Sequence, residues 1–590
     1  MKKNKKNLSL FLISGTFVST SAMGLTVTPD NVAVVARAVD AGSVIFNTEK
    51  FNGNGRTCGT CHIPSKHYNI DPKAINTASV VQSKNTIIKF IENETLVRQR
   101  ALFNIGPEFG IGNTPPGPMR TSMTIGAMEV TSFGSGRNYA PKLGIFPLSP
   151  FISGFSPTTA IRSPVQLGWG GEGSPDIFDP LNTAFTGPEF DGTDCKKFAI
   201  GTLNSFAIGA VVTHATKNRT PAAGSLISRN PGRDFTCPTA DQLNKMDLFQ
   251  RWLGRQVEYS LGTGITNIPL GTTFIPNIQF FDQAANNGLS NFKNDRFGCN
   301  ACHSDAGANA SFAGGRTARN FATNVHFFGI NPVKGVTIPL DEGSGFEDEE
   351  VTDDNPRTGK TPGPFFNSQP LIEAAVKEQF FHNGSVVGPI ESAIQFYFSP
   401  TFNDGPGGFG RACAMVGGVV GGDPRRCRDG VGQVQVDDTT DNFPTLASIS
   451  QEFGANAINE TGFFLRALTA WYKANDCLRL IDETLARINA VPRLNTDLPV
   501  QHIGFNLDDV SALFNKAPLK SSYYLSLGAK ANPLKMKIAK AAKSGNIFEL
   551  NRLKDSVQTL RDSIAVFNDN SPQTYIKTFN PLPYDPTFGP

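Results

Sequence analysis

The chain has 590 residues, more than one hydrophobic core holds, which points to two or three domains. Only 18% of residues are charged and 39% are hydrophobic, with 58 Gly and 40 Pro, the balance of a loop-rich globular protein and neither a disordered chain nor a membrane bundle. The formal charge of +3 includes Lys2, Lys3, Lys5 and Lys6, and removing them leaves −1, which argues against nucleic acid as a partner. These four lysines precede the apolar run Leu8 to Val18, with small residues Thr20 and Ala22 after it, so residues 1–22 read as a signal peptide of an exported, periplasmic or secreted protein. The run is too short to span a bilayer and no later stretch is long enough, so a membrane-spanning protein is not expected.

In chain order, Ala36 to Lys50 predicts a helix that leads through Phe51-Asn52-Gly53-Asn54-Gly55 into Cys58-Gly59-Thr60-Cys61-His62. Residues 105–194 are rich in Gly and Pro and predict long ordered loops wrapped around a cofactor. Helical spacing returns at Asp241 to Gly262, where Leu243, Met246, Phe249 and Leu253 recur at steps of three and four. A helix over Ile275 to Phe292 then leads into a second unit, Cys299-Asn300-Ala301-Cys302-His303. The acidic stretch Asp341 to Asp354 reads as a solvated loop, with a calcium site as its alternative. Glu460 to Leu480 predicts a closing helix, and the last hundred residues add a Lys-rich helix near Lys535 to Lys543.

The two Cys-x-x-Cys-His units carry the chemistry. Two thiols three residues apart can add to the two vinyl groups of one porphyrin, and the adjacent imidazole supplies the proximal nitrogen to iron. No second ligand pair follows either unit at zinc-finger spacing, and a thioredoxin-like redox pair does not need the trailing His. Two covalently attached haem c groups are therefore expected, on Cys58 and Cys61 with His62, and on Cys299 and Cys302 with His303. The other five cysteines, 195, 237, 413, 427 and 477, are expected to be structural, since an exported chain meets an oxidising compartment. The fold class is mainly α, with two cytochrome c-like haem domains over 23–270 and 271–480, long irregular loops, and a C-terminal helical extension over 481–590.

Over about residues 40 to 480 the sequence resembles the bacterial di-haem cytochrome c peroxidase and MauG superfamily, with features of the secreted rubber oxygenases. The resemblance rests on the lead-in Val44 to Gly55, on Arg162-Ser163-Pro164 followed by Gly168-Trp169-Gly170-Gly171, on Lys360-Thr361-Pro362, on Phe380-Phe381-His382-Asn383-Gly384-Ser385, and on Phe463 to Thr469. It implies that the first haem activates hydrogen peroxide or dioxygen, that the second relays electrons, and that Trp169 lies between them. The family's distal glutamate falls 20 residues after that tryptophan, where Glu189 stands, and its carboxyl would move a proton between the peroxide oxygens. Phe185 is the competing distal residue, since a phenylalanine caps the iron in the rubber oxygenases.

The classical distal His is absent after the first unit, because His67 stands only five residues past His62 on the proximal side. The resemblance places a sixth ligand of the second haem near Tyr397, 15 residues after His382, with His502 as the rival. His382 is expected to make a structural hydrogen bond, and His214 and His326 to be satisfied structural residues. The expected activity is peroxide reduction with electrons from a small donor protein, a cytochrome or cupredoxin, or from a protein substrate. The alternatives are a dioxygenase cleaving a hydrophobic polymer or lipid, and a non-catalytic di-haem electron carrier.

Overall fold

The computed structural model describes residues 32–66, 68, 207–208, 210–217, 230–253, 278–294, 296–299, 303, 371–380, 386–399 and 445–567, with short strands at 102–105, 123–126, 257–259, 320–322, 365–367, 415–416, 419–420 and 574–576. It is mostly helical, as expected from the sequence, with ten α-helices among the described residues. They are α1 (Val32–Thr48), α2 (Cys58–Cys61), α3 (Ala240–Leu253), α4 (Gln283–Lys293), α5 (Ile390–Tyr397), α6 (Leu446–Phe453), α7 (Ala457–Asn489), α8 (Asp497–Asn515), α9 (Ser522–Ser544) and α10 (Ile547–Ile564). The described strands form antiparallel pairs, of which Ile278–Phe280 with Ala565–Phe567 ties the approach to α4 to the end of α10.

The 33-residue α7 is the centre of the assembly, with α4, α5, α8 and α10 packed around it and α1 touching it. Its segment Phe463 to Ala474 is buried on every face, because neighbours surround it and no side is left for water. Polar residues in that segment therefore need partners. Arg466 donates through Nε and Nη2 to both oxygens of Glu391 on α5, each at 2.8 Å. Lys473 pairs with Glu373 at 3.2 Å and Asp509 at 2.8 Å. The last three helices are not a detached tail: α8 packs on α7, α9 on α8, and α10 on both α7 and α9. The α9–α10 corner turns at Gly545, whose φ of 68° is left-handed.

Two helix crossings repeat one design. On α1, a Cβ at Gly42 would collide with the Lys245 carbonyl of α3 and come within 2.8 Å of the Phe249 Cβ. On α4, a Cβ at Gly288 would collide with the Glu460 carbonyl of α7 and come within 2.8 Å of the Phe464 Cβ. In each case a Phe four residues after the glycine meets the Phe four residues after the crossed carbonyl. Phe46 lies 5.6 Å from Phe249 at 60°, and Phe292 lies 5.6 Å from Phe464 at 59°. The missing Cβ lets the axes approach closely, and the ring pair locks the crossing angle.

Sequence and structure differ at several ends. The first helix begins at Val32, ahead of the predicted Ala36, and α3 stops at Leu253 with a strand at Val257–Tyr259 where helix had been expected to Gly262. Within the expected helix Ile275 to Phe292 the structure has the strand Ile278–Phe280, and α4 begins only after Asp282, whose carboxylate accepts from the Ala284 N–H. The alternation at Ile278, Gln279 and Phe280, buried-exposed-buried, is a strand pattern. Helix α7 continues through residue 480 to Asn489.

Candidate functional site

The site is built from the turn that follows α1. Thr57 and Thr60 cap α2 reciprocally: Thr57 Oγ1 accepts from the Thr60 N–H at 3.1 Å, and Thr60 Oγ1 accepts from the Thr57 N–H at 3.0 Å. Between these caps the single turn of α2 sets Cys58 and Cys61 on one face, three residues apart. The His62 N–H donates to the Cys58 carbonyl at 3.0 Å, and the chain leaves the helix there. Upstream, Asn54 anchors the loop, its Nδ2 donating to the carbonyls of His214 and Thr216 at 2.7 and 2.8 Å.

The His62 imidazole is buried at 6% exposure, and its Nδ1 lies 2.8 Å from the Tyr68 carbonyl oxygen. A carbonyl only accepts, so Nδ1 carries the hydrogen and Nε2 is the unprotonated ring nitrogen. Burial pushes the imidazole down to about 4, with the Tyr68 carbonyl opposing and His214 adding to the shift, so the ring is neutral at ordinary pH. Burial also pushes the Cys58 thiol up to about 12, with its own backbone N–H opposing and Cys61 adding. Two thiols and a neutral, carbonyl-oriented imidazole on one short segment are a donor set that fits a covalently attached haem.

Tyr68 itself is held in an unusual place. Its φ is 61°, in the left-handed region that a bulky residue seldom adopts. Its N–H donates to the Ile63 carbonyl at 2.9 Å. Its ring meets Phe46 and Phe249 edge-on, both at 5.5 Å, and stacks on His502 at 5.8 Å with 11° between planes. The Tyr68 hydroxyl lies 3.5 Å from His502 Nε2, at the outer limit of a hydrogen bond.

His502 comes from α8 and is fully buried. Trp252 of α3 meets it edge-on at 4.9 Å, and the Trp252 indole N–H donates to Glu483 Oε2 at 2.6 Å. Glu483 is ion-paired with Arg487, which also binds Asp40 of α1. Local sequence gave no signal for Tyr68 or Glu483. Trp252 carried a weak one, being one of 3 Trp in the chain and three residues from Phe249 on the periodic face of α3.

The second unit repeats the turn: the His303 N–H donates to the Cys299 carbonyl at 2.9 Å. Two residues before Cys299, Phe297 packs on Phe398 at 4.8 Å and on Phe453 at 5.4 Å. Tyr397, the neighbour of Phe398 and the last residue of α5, is half-buried, so the structure brings the end of α5 to the second unit. His502, the other ligand expected from the sequence for the second centre, has its ring neighbours Tyr68 and Trp252 on the side of the first unit.

Trp169, Phe185, Glu189, Cys302, His67, His326, His382 and the acidic stretch 341–354 lie outside the described residues. Cys237 is disulfide-bonded, and Cys477 is buried in α7 with its Sγ 3.8 Å from the Ile503 carbonyl. Among the described residues no helix is long and apolar enough to cross a membrane. No family model matches the chain, and neither a curated protein nor a solved structure matches it.

Proposed function

We propose that the protein is an exported di-haem c-type oxidoreductase that reduces hydrogen peroxide at the His62 centre, with electrons arriving through the His303 centre. The observation that carries this reading is the buried His62 imidazole, tied through Nδ1 to the Tyr68 carbonyl one turn from two thiols. The paired crossings of α1 with α3 and of α4 with α7 support a duplicated haem-binding arrangement, since each leads into one Cys-x-x-Cys-His unit.

In this reading Cys58 and Cys61 hold one porphyrin and Cys299 and Cys302 the other, with His62 and His303 as proximal ligands and Tyr397 at the second centre. Haem held by these residues would supply redox-active iron for peroxide chemistry. The chain's part is to orient and to move protons. Tyr68 fixes the His62 ring plane and keeps Nδ1 protonated, which makes Nε2 a stronger donor. The Glu189 carboxylate takes a proton from the near peroxide oxygen and returns it to the leaving one. By the family resemblance Trp169 would carry electrons between the two centres, and the donor would be a small redox protein.

The test begins with the purified full chain: intact mass and the pyridine haemochrome spectrum, expected to show two haem c groups, and one in Cys58→Ser/Cys61→Ser. Peroxide consumption with a reduced small cytochrome or cupredoxin follows, expected to collapse in His62→Gly and Glu189→Gln. Dioxygen uptake with an apolar polymer or lipid and no peroxide consumption would overturn the peroxidase reading in favour of an oxygenase. Two haems with neither activity would leave an electron carrier.

A further inference from the structure

Tyr68 is held in the left-handed region by its surroundings. A bulky residue at φ 61° is strained and persists only where its surroundings over-determine it. Its backbone is tied at both ends, the N–H to Ile63 and the carbonyl to His62. Both ties are local, within six residues, and a relaxing turn would lose them together. The long-range restraint is on the ring, and its parallel face is His502, 434 residues away in sequence and fully buried.

His502 is itself clamped. Trp252 closes its edge at 4.9 Å and Phe505 meets it at 5.6 Å. Trp252 is held by Glu483, Glu483 by Arg487, and Arg487 by Asp40. The chain of contacts thus joins α1, α3, α7 and α8 behind the carbonyl that orients His62.

We propose that His502 is a positioning residue for the first haem centre, its ring stacked on Tyr68 so that the Tyr68 carbonyl stays on His62 Nδ1. This rests on the reading of His62 as a haem ligand and adds to it a residue from beyond the two haem units. When the stack is lost, Tyr68 relaxes toward negative φ, its carbonyl turns away, and the Nδ1–H···O bond lengthens. The imidazole then donates less to iron, which destabilises the ferric state.

The experiment uses the full haem-loaded chain as wild type, His502→Ala, and His502→Phe, which keeps an aromatic face without the nitrogens. Haem content is measured first by pyridine haemochrome, so absence of haem c in the wild type overturns the reading of His62 and is recognised as such. The readouts are the reduction potential of each haem by spectroelectrochemistry and the iron–histidine stretch in the resonance Raman spectrum of the reduced protein. His502→Ala is expected to raise the potential of the His62 haem and lower its stretch, with the His303 haem unmoved and His502→Phe restoring most of both. Two outcomes overturn the proposal: an unchanged potential and stretch in His502→Ala at full haem content, or loss of a low-spin signal in both variants, which would make His502 an iron ligand. If His502→Ala is produced without haem, His502→Asn, small and unable to stack, carries the same comparison.

Discussion

Replacing Gly288 by alanine tests the helix crossing that frames the second unit. The new Cβ would overlap the Glu460 carbonyl and stand 2.8 Å from the Phe464 Cβ, whereas apolar carbons pack at about 3.5–4.0 Å. Both obstacles are on α7, one a backbone carbonyl and the other the Cβ of the buried Phe464, and neither can swing aside, so α4 and α7 must part by on the order of 1 Å. Overpacking of this kind costs up to about 3 kcal/mol, and Ala returns about 1 kcal/mol of helix propensity, leaving a net loss of about 2 kcal/mol. The matched control is Gly504→Ala on α8, where the Cβ meets only the flexible Lys535 Cε at 3.4 Å. There the propensity term acts alone, and a gain of up to about 1 kcal/mol is expected. Urea unfolding of the full chain as purified, followed by far-ultraviolet circular dichroism, reads both as midpoint shifts of opposite sign. A Gly288→Ala midpoint at or above that of the wild type would refute the close-crossing argument.

Other expectations follow from the buried polar groups. Glu391→Ala strands the 3%-exposed Arg466 side chain without its carboxylate and should cost about 3–5 kcal/mol in the same assay, while the double change with Arg466→Met should recover a large part. Trp252→Phe leaves Glu483 without the 2.6 Å indole donor and should cost about 1–3 kcal/mol; a loss no larger than that of an exposed substitution would argue against that bond. In the chain carrying Cys58→Ala and Cys61→Ala, His62 is held near 4 when folded against 6.5 when unfolded. Above pH 6.5 both states hold a neutral ring; as pH falls from 6.5 toward 4 the unfolded state takes the proton first, so about 3 kcal/mol of stability is lost across that window. Adding His62→Gln should flatten that part of the pH profile, and an identical slope in both chains would show that His62 is not the responsible group.

Much of the helical fold could be read locally. The three- and four-residue spacing of Leu243, Met246, Phe249 and Leu253 marks a face, and these residues are buried on α3. The two Cys-x-x-Cys-His units are equally local, because a turn of four residues and its Thr57–Thr60 cap are set by neighbours in sequence. Helix ends were less legible: Ile278 to Phe280 has apolar residues compatible with either helix or strand, and only its partner strand at 565–567 decides the matter. The surroundings of His62 lay beyond sequence reasoning altogether. Tyr68, Trp252, Glu483 and His502 come together from segments up to 434 residues apart, and no spacing rule spans such a distance. His502 shows the difference most clearly: the sequence alone marks it as an imidazole late in the chain, while packing of α8 on α7 sets it behind the carbonyl that orients His62. Sequence by itself determines which side chains can bind and react, through local turn geometry and residue chemistry. The tertiary structure decides which of them share a site, because burial and helix packing depend on contacts between distant segments.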